Sequence, residues 1–309
     1  MCGAGDAAQA RPPKPAGPGG LSTGRAGRYD GKTPMESASP TIARPKVMGI
    51  VNATPDSFSD GGRFLAPEAA LAHARRLIAD GADILDIGAE STRPGADPVP
   101  AEAEIERLIP LIRALRAESD VPISVDTMKP QVARAAVAAG AGVWNDVAAL
   151  RYAPDSLAVA AELGCEVVLM HMQGEPRTMQ AEPRYDDVVA EVAAFLVQRA
   201  EAAMAAGVAR EKIWLDPGIG FGKHPLRHNL PLLAGLDRIV ALGFPVLLGA
   251  SRKAFIGALD PGAAVDQRLG GSIAAALAGA AAGVAAVRVH DVRETVQALA
   301  VQAAIASGR

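Results

Sequence analysis

The chain is short of cysteine, of aromatic residues and of any excess of charge, and each shortage closes off a class of protein. Its two cysteines, Cys2 and Cys165, cannot build a disulfide framework and stand at no zinc-ligand spacing. Cys165 opens an apolar run and is expected as a small buried hydrophobe. With 31 basic and 34 acidic side chains in 309 residues, the chain carries no basic stripe or arm of the kind nucleic acid requires. No apolar stretch reaches the ~18 residues of a membrane span. The nearest, at 273–287, is interrupted by Gly279 and Gly283 and runs into Arg288-Val289-His290-Asp291, so it reads as a buried helix and strand. Aromatic residues make up only 4%, which leaves the core to Val, Ile, Leu and Ala. An apolar signal-peptide core is missing near the N-terminus, and a soluble, cytoplasmic protein is expected.

Residues 1–44 are rich in Gly, Pro, Ala, Ser and Thr and lack apolar periodicity, the composition of a disordered tail. Met35 lies downstream of most of this tail and is a candidate start. The remainder, 45–309, is expected to form one catalytic domain.

Within that domain one pattern recurs eight times: a short apolar run that ends in polar residues, then a helix-like segment. The runs are KVMGIVN (46–52), DILDIG (83–88), PISVDT (122–127), GVWND (142–146), EVVLMHM (166–172), KIWLDPG (212–218), PVLLGASRK (245–253) and AAVRVHD (285–291). Between them, apolar residues recur at helical spacing, as Ile105, Leu108, Ile109, Ile112 and Leu115 do over 101–117. Further helices are expected over 186–206 and 229–242, and Gly81, Gly140, Gly164, Gly207 and Gly243 fall where helices must stop. Strands alternating with such helices predict parallel βαβ units, and eight units over roughly 250 residues predict a closed (β/α)8 TIM barrel. No GxGxxG follows the first run, which removes the usual reason to prefer a dinucleotide-binding sheet.

In such a barrel every strand points its C-terminal end at the face that carries the active site. Asn52, Glu90, Asp126, Asn145, His171, Asp216, Lys253, Arg288 and His290 all stand at run ends. Two long loops, NATPDSFSDGG (52–62) and ESTRPGADPVP (90–100), leave the same face. Taken singly, Asp126 also fits the N-cap of the following helix, and Asp216 a turn before Pro217-Gly218. GxSxG and any paired Cys and His motif are missing, so no catalytic triad is expected.

The set MGIVNATPDSFSDGG, GAESTRPGA, SVDT, ND, LMHMQG, LDPGIGFGK, SRKAFIG and RVHDV, in order over 46–292, resembles the signature of the dihydropteroate synthases of folate biosynthesis. Ala89 and Ala53 depart from the residues frequent in that family, and neither change removes a polar contact. The resemblance implies a barrel that joins p-aminobenzoate to 6-hydroxymethyl-7,8-dihydropterin diphosphate and releases diphosphate. A pterin is a flat ring edged with N–H donors, and carboxylate or amide acceptors suit it. By resemblance the pterin falls to Asp126, Asn145, Met170, Asp216, Lys253 and Arg288, with His171 in a structural role. The diphosphate is expected against Asn52, Thr92, Arg288 and His290, close to the Ser251-Arg252-Lys253 loop, because TIM barrels often bind phosphate after strands seven and eight. By resemblance Asn52 also helps hold Mg²⁺, and Phe58, Thr92, Arg93, Pro94, Phe221 and Ser251 line the p-aminobenzoate pocket. Lys253, Arg288, His290 and Arg93 carry the catalytic electrostatics. His224 and His228 are expected at the surface or a helix start. The family is usually dimeric, and a homodimer is expected; sulfonamide inhibition is expected too. Two other readings are a pterin-binding relative without turnover and the pterin barrel of a corrinoid-linked methyltransferase. The presence of Asn52, Arg93, Asp126, Asp216, Lys253, Arg288 and His290 argues against the first, and the methyltransferase, which handles no diphosphate, has no need of Ser251-Arg252-Lys253 with Arg288 and His290.

Overall fold

The computed structural model describes residues 44–53, 62–91, 98–175 and 178–308, with the side chains of the first helix described from Glu68 onward. The tail expected to be disordered therefore lies outside the described residues, apart from Arg44.

Eight strands form one parallel sheet: β1 (Lys46–Asn52), β2 (Ile84–Gly88), β3 (Ile123–Asp126), β4 (Val143–Asp146), β5 (Glu166–Met170), β6 (Ile213–Asp216), β7 (Leu247–Leu248) and β8 (Ala286–Val289). Neighbours in sequence pair in space, and β8 returns to β1, with Met48 opposite Arg288. The ring closes between β6 and β7 through a single parallel bridge, Leu215 to Val246, where the Leu215 amide donates to Pro245 O at 2.9 Å. The expected TIM barrel is the fold observed.

The helices lie between the strands: α1 (Gly62–Ala79), α2 (Ala101–Glu118), α3 (Pro130–Ala138), α4 (Ser156–Leu163), α5 (Val188–Ala205), α6 (Asn229–Ala234), α7 (Leu236–Val240), α8 (Ala254–Leu259), α9 (Leu269–Ala282) and α10 (Val292–Ala306). The apolar stripe read over 101–117 is the face by which α2 packs: Leu108, Ile112 and Leu115 are fully buried, and Ile105 and Ile109 press on the same core. The helix expected over 229–242 is two short ones. It breaks at Gly235, where a Cβ would stand 2.9 Å from a Val189 methyl of α5. The apolar 273–287 stretch divides into α9 and β8 as expected, and Cys165 is buried. Among the described residues no helix is long and apolar enough to cross a membrane.

Side chains alternate across each strand, and the two faces do different work. Outward residues such as Val47, Leu85, Val125, Val167, Leu215, Leu248 and Val287 join the helices in one large core. Inward residues Met48, Ile84, Val143, Val168, Trp214, Leu247 and Ala286 form a separate apolar plug. One step along the inner face toward the C-terminal ends, the residues become Asp86, Asn145, Met170, Asp216 and Arg288, joined by Asp126 on β3.

Candidate active site

The strand alternation that builds the plug also delivers the polar layer above it. Arg288 lies between two carboxylates: Nε donates to Asp86 Oδ2 at 2.5 Å and a terminal nitrogen donates to Asp126 Oδ2 at 2.7 Å. The Asn145 amide nitrogen donates to the same Asp86 oxygen at 3.2 Å. Across the ring, Asp216 Oδ1 accepts the Gly218 amide at 2.7 Å. Two inward positions carry no side chain. Gly249 faces Asp216, with its missing Cβ 3.8 Å from Oδ2, and a Cβ on Gly88 would meet that of Asp126 at 3.3 Å. Asp126 and Asp216 thus have a glycine backbone, not a side chain, as a neighbour on the inner face.

Burial and charge pull these groups in opposite directions. Burial pushes Asp126 up to about 7 against the pull of Arg288, with Asp86 adding repulsion. Asp216 rises to about 6 for the same first reason, opposed by the Gly218 amide and by Lys253 and Arg288. Burial acts to lower the Arg288 guanidinium, but Asp86 and Asp126 outweigh it and hold the group above its ordinary value.

Cations and histidine meet where β7 and β8 end. Lys253, at the N-terminus of α8, holds its ammonium 4.1 Å from the centre of the Phe221 ring and acts electrostatically on Asp216 and Asp126. The Ser251 oxygen accepts the His290 backbone amide at 3.3 Å and stands 2.9 Å from Nδ1. Ser251 thus engages the ring at Nδ1, its donor or acceptor role there following the tautomer of the imidazole. Burial and the nearby Arg252 and Arg288 lower His290 to about 4, so it serves as a neutral N–H donor and not as a cation.

Arg252, grouped with this anion cluster on sequence grounds, faces elsewhere. It forms a bidentate pair with Asp291 (Nε to Oδ2 at 3.1 Å), its amide donates to Ser272 Oγ at 2.8 Å, and its φ is +57°. Among the described residues of these two strand ends, Lys253 and Arg288 are the cations that act on Asp216.

An apolar patch completes the face: Val147, Met170, Met172 and Met179 cluster with Met128 and Phe221. Met170 pairs in register with Asp216, which sets a buried thioether beside a carboxylate. Asn52 ends β1 on the inner face and is half-buried. Phe58, Thr92, Arg93 and Pro94 lie outside the described residues. His228 precedes α6 and His224 accepts the Leu226 and Arg227 amides, the helix-start role expected of them.

Three buried groups of the site were not singled out from sequence. Asp86 is the first. Lys223, from the GFGK turn, is fully buried and donates to Gly218 O (2.9 Å), Phe221 O (3.0 Å) and His171 Nδ1 (2.8 Å). It fastens the turn after β6 beneath Asp216; burial lowers it to about 7 and His171 to about 3. Gly218 makes room for this turn at φ +67°, because a Cβ there would lie 1.9 Å from His171 O. The third group is Lys129, which bridges Glu90 (2.8 Å) and the fully buried Glu104. Glu90 also accepts the Val99 amide at 2.9 Å, so one carboxylate ties together both stems of the 90–100 loop.

This face of the barrel gathers hydrogen-bond acceptors on one wall and cations beside them, as an enzyme site would. The chain matches the family described as "Pterin binding enzyme" over residues 48–290. It is 47% identical over 274 residues to the dihydropteroate synthase of Escherichia coli K12, an alignment covering 89% of this chain and 96% of that one. The dihydropteroate synthase of Xanthomonas albilineans, solved with 4-aminobenzoic acid, is 54% identical with a TM-score of 0.81, covering 86% and 94% of the two chains. That of Yersinia pestis, solved as a sulfonamide drug complex, is 45% identical with a TM-score of 0.81, covering 86% and 96%. The chain belongs to the pterin binding enzymes, among the dihydropteroate synthases.

Proposed function

We propose that the protein condenses 6-hydroxymethyl-7,8-dihydropterin diphosphate with p-aminobenzoate, giving 7,8-dihydropteroate and diphosphate. The observation that carries this reading is the meeting of an acceptor wall (Asp126, Asn145, Asp216) with Lys253, Arg288 and the His290 N–H at the ends of β7 and β8. Asp216 takes the ring's N–H edge, Asp126 and Asn145 take further nitrogens, and Met170 supplies an apolar face. Lys253 and Arg288 meet negative charge as it builds on the departing diphosphate, with His290 as a neutral N–H donor. The bond from the 6-methylene carbon to the diphosphate oxygen breaks, and the amine of p-aminobenzoate forms the new C–N bond and loses a proton. An arylamine trapping a ring-stabilised cation needs no strong base. Phe221 and Ser251 border the p-aminobenzoate side; Phe58, Thr92, Arg93 and Pro94, assigned to it by resemblance, lie outside the described residues.

Among the described residues no three acidic, His or Cys side chains gather into a metal cage, and Asn52 offers one carboxamide oxygen. That donor set fits a magnesium ion carried on the diphosphate and held by few protein oxygens. When bound, the ion shares the leaving group's charge. A homodimer and a cytoplasmic location complete the reading. Exposed Val301 and Ile305 on α10 support the first, and a charged diphosphate substrate that does not cross membranes unaided supports the second.

The test is diphosphate release from dihydropterin diphosphate, Mg²⁺ and p-aminobenzoate, with Lys253→Ala alongside. Release is expected to require p-aminobenzoate, to fall about 100-fold or more in the variant, and to be blocked by a sulfonamide. Dihydropterin binding without release would leave a binding module instead.

A further inference from the structure

Asp86 stands on β2, at the edge of the acceptor wall carried by β3, β4 and β6. It is fully buried on the inner face of β2, and its Oδ2 alone receives both Arg288 Nε (2.5 Å) and the Asn145 amide nitrogen (3.2 Å). A carboxylate paired with a guanidinium only accepts hydrogen bonds. Asn145 therefore has one way up, with its NH₂ toward Asp86 and its carbonyl oxygen away from it. Without that partner the two ends of the amide are close in size, and the group can turn either a donor or an acceptor to its neighbours.

We propose that Asp86 is a positioning residue that fixes the Asn145 amide, and so makes the wall accept hydrogen bonds wherever a dihydropterin donates them. The inference rests on the pterin reading above and names what enforces its specificity. Asp86 acts through Asn145 and through Arg288, whose guanidinium Asp126 grips from the other side at 2.7 Å. An inverted Asn145 would set NH₂ against a ring N–H, donor against donor, in a site where an unmatched polar group is costly.

The proposal is tested by titration calorimetry with 6-hydroxymethyl-7,8-dihydropterin on the full chain, with urea unfolding in parallel. Wild-type protein comes first. If it fails to bind the dihydropterin, the pterin reading itself falls, whereas every later failure bears on Asp86 alone. Asp86→Ala is expected to weaken binding about tenfold or more. Adding Asn145→Asp makes position 145 an acceptor whichever way it turns, and returns the net charge to that of the wild type. Affinity of this double variant is expected back within about threefold of wild type, while its unfolding midpoint stays at the Asp86→Ala level. That split separates orientation from mere support of the fold. Wild-type affinity in Asp86→Ala, or a double variant no better than the single, overturns the proposal. Asp86→Asn, nearly unchanged in volume, covers the case in which Asp86→Ala does not fold. An amide at position 86 can accept or donate, so it no longer dictates which way Asn145 turns, and binding is expected about tenfold weaker; undiminished affinity overturns the proposal equally.

Discussion

Asp126 and Asp216 are lifted by burial to about 7 and about 6, and each accepts a ring's N–H groups more strongly, and through both oxygens, when ionised. A carboxyl whose pKa is higher folded than unfolded stabilises the fold while protonated. That contribution is complete below about pH 4 and is lost as pH rises through 6 to 7. Binding runs the other way, so kcat/KM for the dihydropterin diphosphate is expected to fall as pH drops through the same window. A pH–rate profile checks this, and Asp126→Asn should remove the step nearer 7. At this scale the sequence was legible where a polar residue ends an apolar run, as at Asp126, Asn145, Asp216 and Arg288. Asp86 was hidden because it lies inside a run, flanked by Leu85 and Ile87, and only the alternation of faces turns it inward. Lys223 was hidden because lysine is rarely fully buried, and the backbone carbonyls that accept from it are invisible in a side-chain pattern.

The elements hold the site by joining loops to one another. Arg252 at φ +57° sits in a region that costs roughly 1–3 kcal/mol for a non-glycine residue, offset by its pairing with Asp291 across the β7 and β8 ends. After β4, Asp146 accepts the Ala148 and Leu150 amides (both 2.7 Å), and Arg199 of α5 donates to Ala149 O at 2.9 Å. This holds Ala149 and Leu150 at φ +52° and +58°, just past Asn145. The most exacting joint is Lys129 between Glu90 and Glu104. Removing the cation strands two buried carboxylates, so Lys129→Met is expected to cost about 3–5 kcal/mol, read as a lower urea midpoint with unchanged m-value. A loss below about 1 kcal/mol would show that the pair is solvated in practice. Strand and helix order was legible from periodicity and from the glycines at helix ends, since Gly81, Gly140, Gly164, Gly207 and Gly243 all adopt positive φ. The break of the 229–242 helix was not, because it arises from contact with Val189, far away in sequence.

Over the whole molecule the barrel is closed unevenly. Most neighbouring strands share several paired residues, but β6 and β7 meet at the Leu215–Val246 bridge alone, and β7 spans only Leu247–Leu248. Local opening should therefore begin at that joint. Native-state hydrogen exchange is expected to show the Leu215 amide, which bonds to Pro245 O, exchanging faster than the Leu85 amide, which bonds to Pro122 O on the β2–β3 side. Equal protection of the two would mean that the barrel opens as one unit. The TIM barrel itself was legible because eight repeats leave few other ways to bury eight apolar strands. The weak joint was not, since strand pairing in a closed ring depends on tilt and stagger that no single repeat encodes.

The inner face also separates two kinds of selection. The plug of Met48, Ile84, Val143, Val168, Trp214, Leu247 and Ala286 is apolar throughout, while Asp86, Asp126, Asn145, Asp216 and Arg288 lie beyond it. Substitution in the plug changes packing and so stability, whereas substitution in the wall changes hydrogen bonding. Stability and recognition are written on different rungs of the same strands.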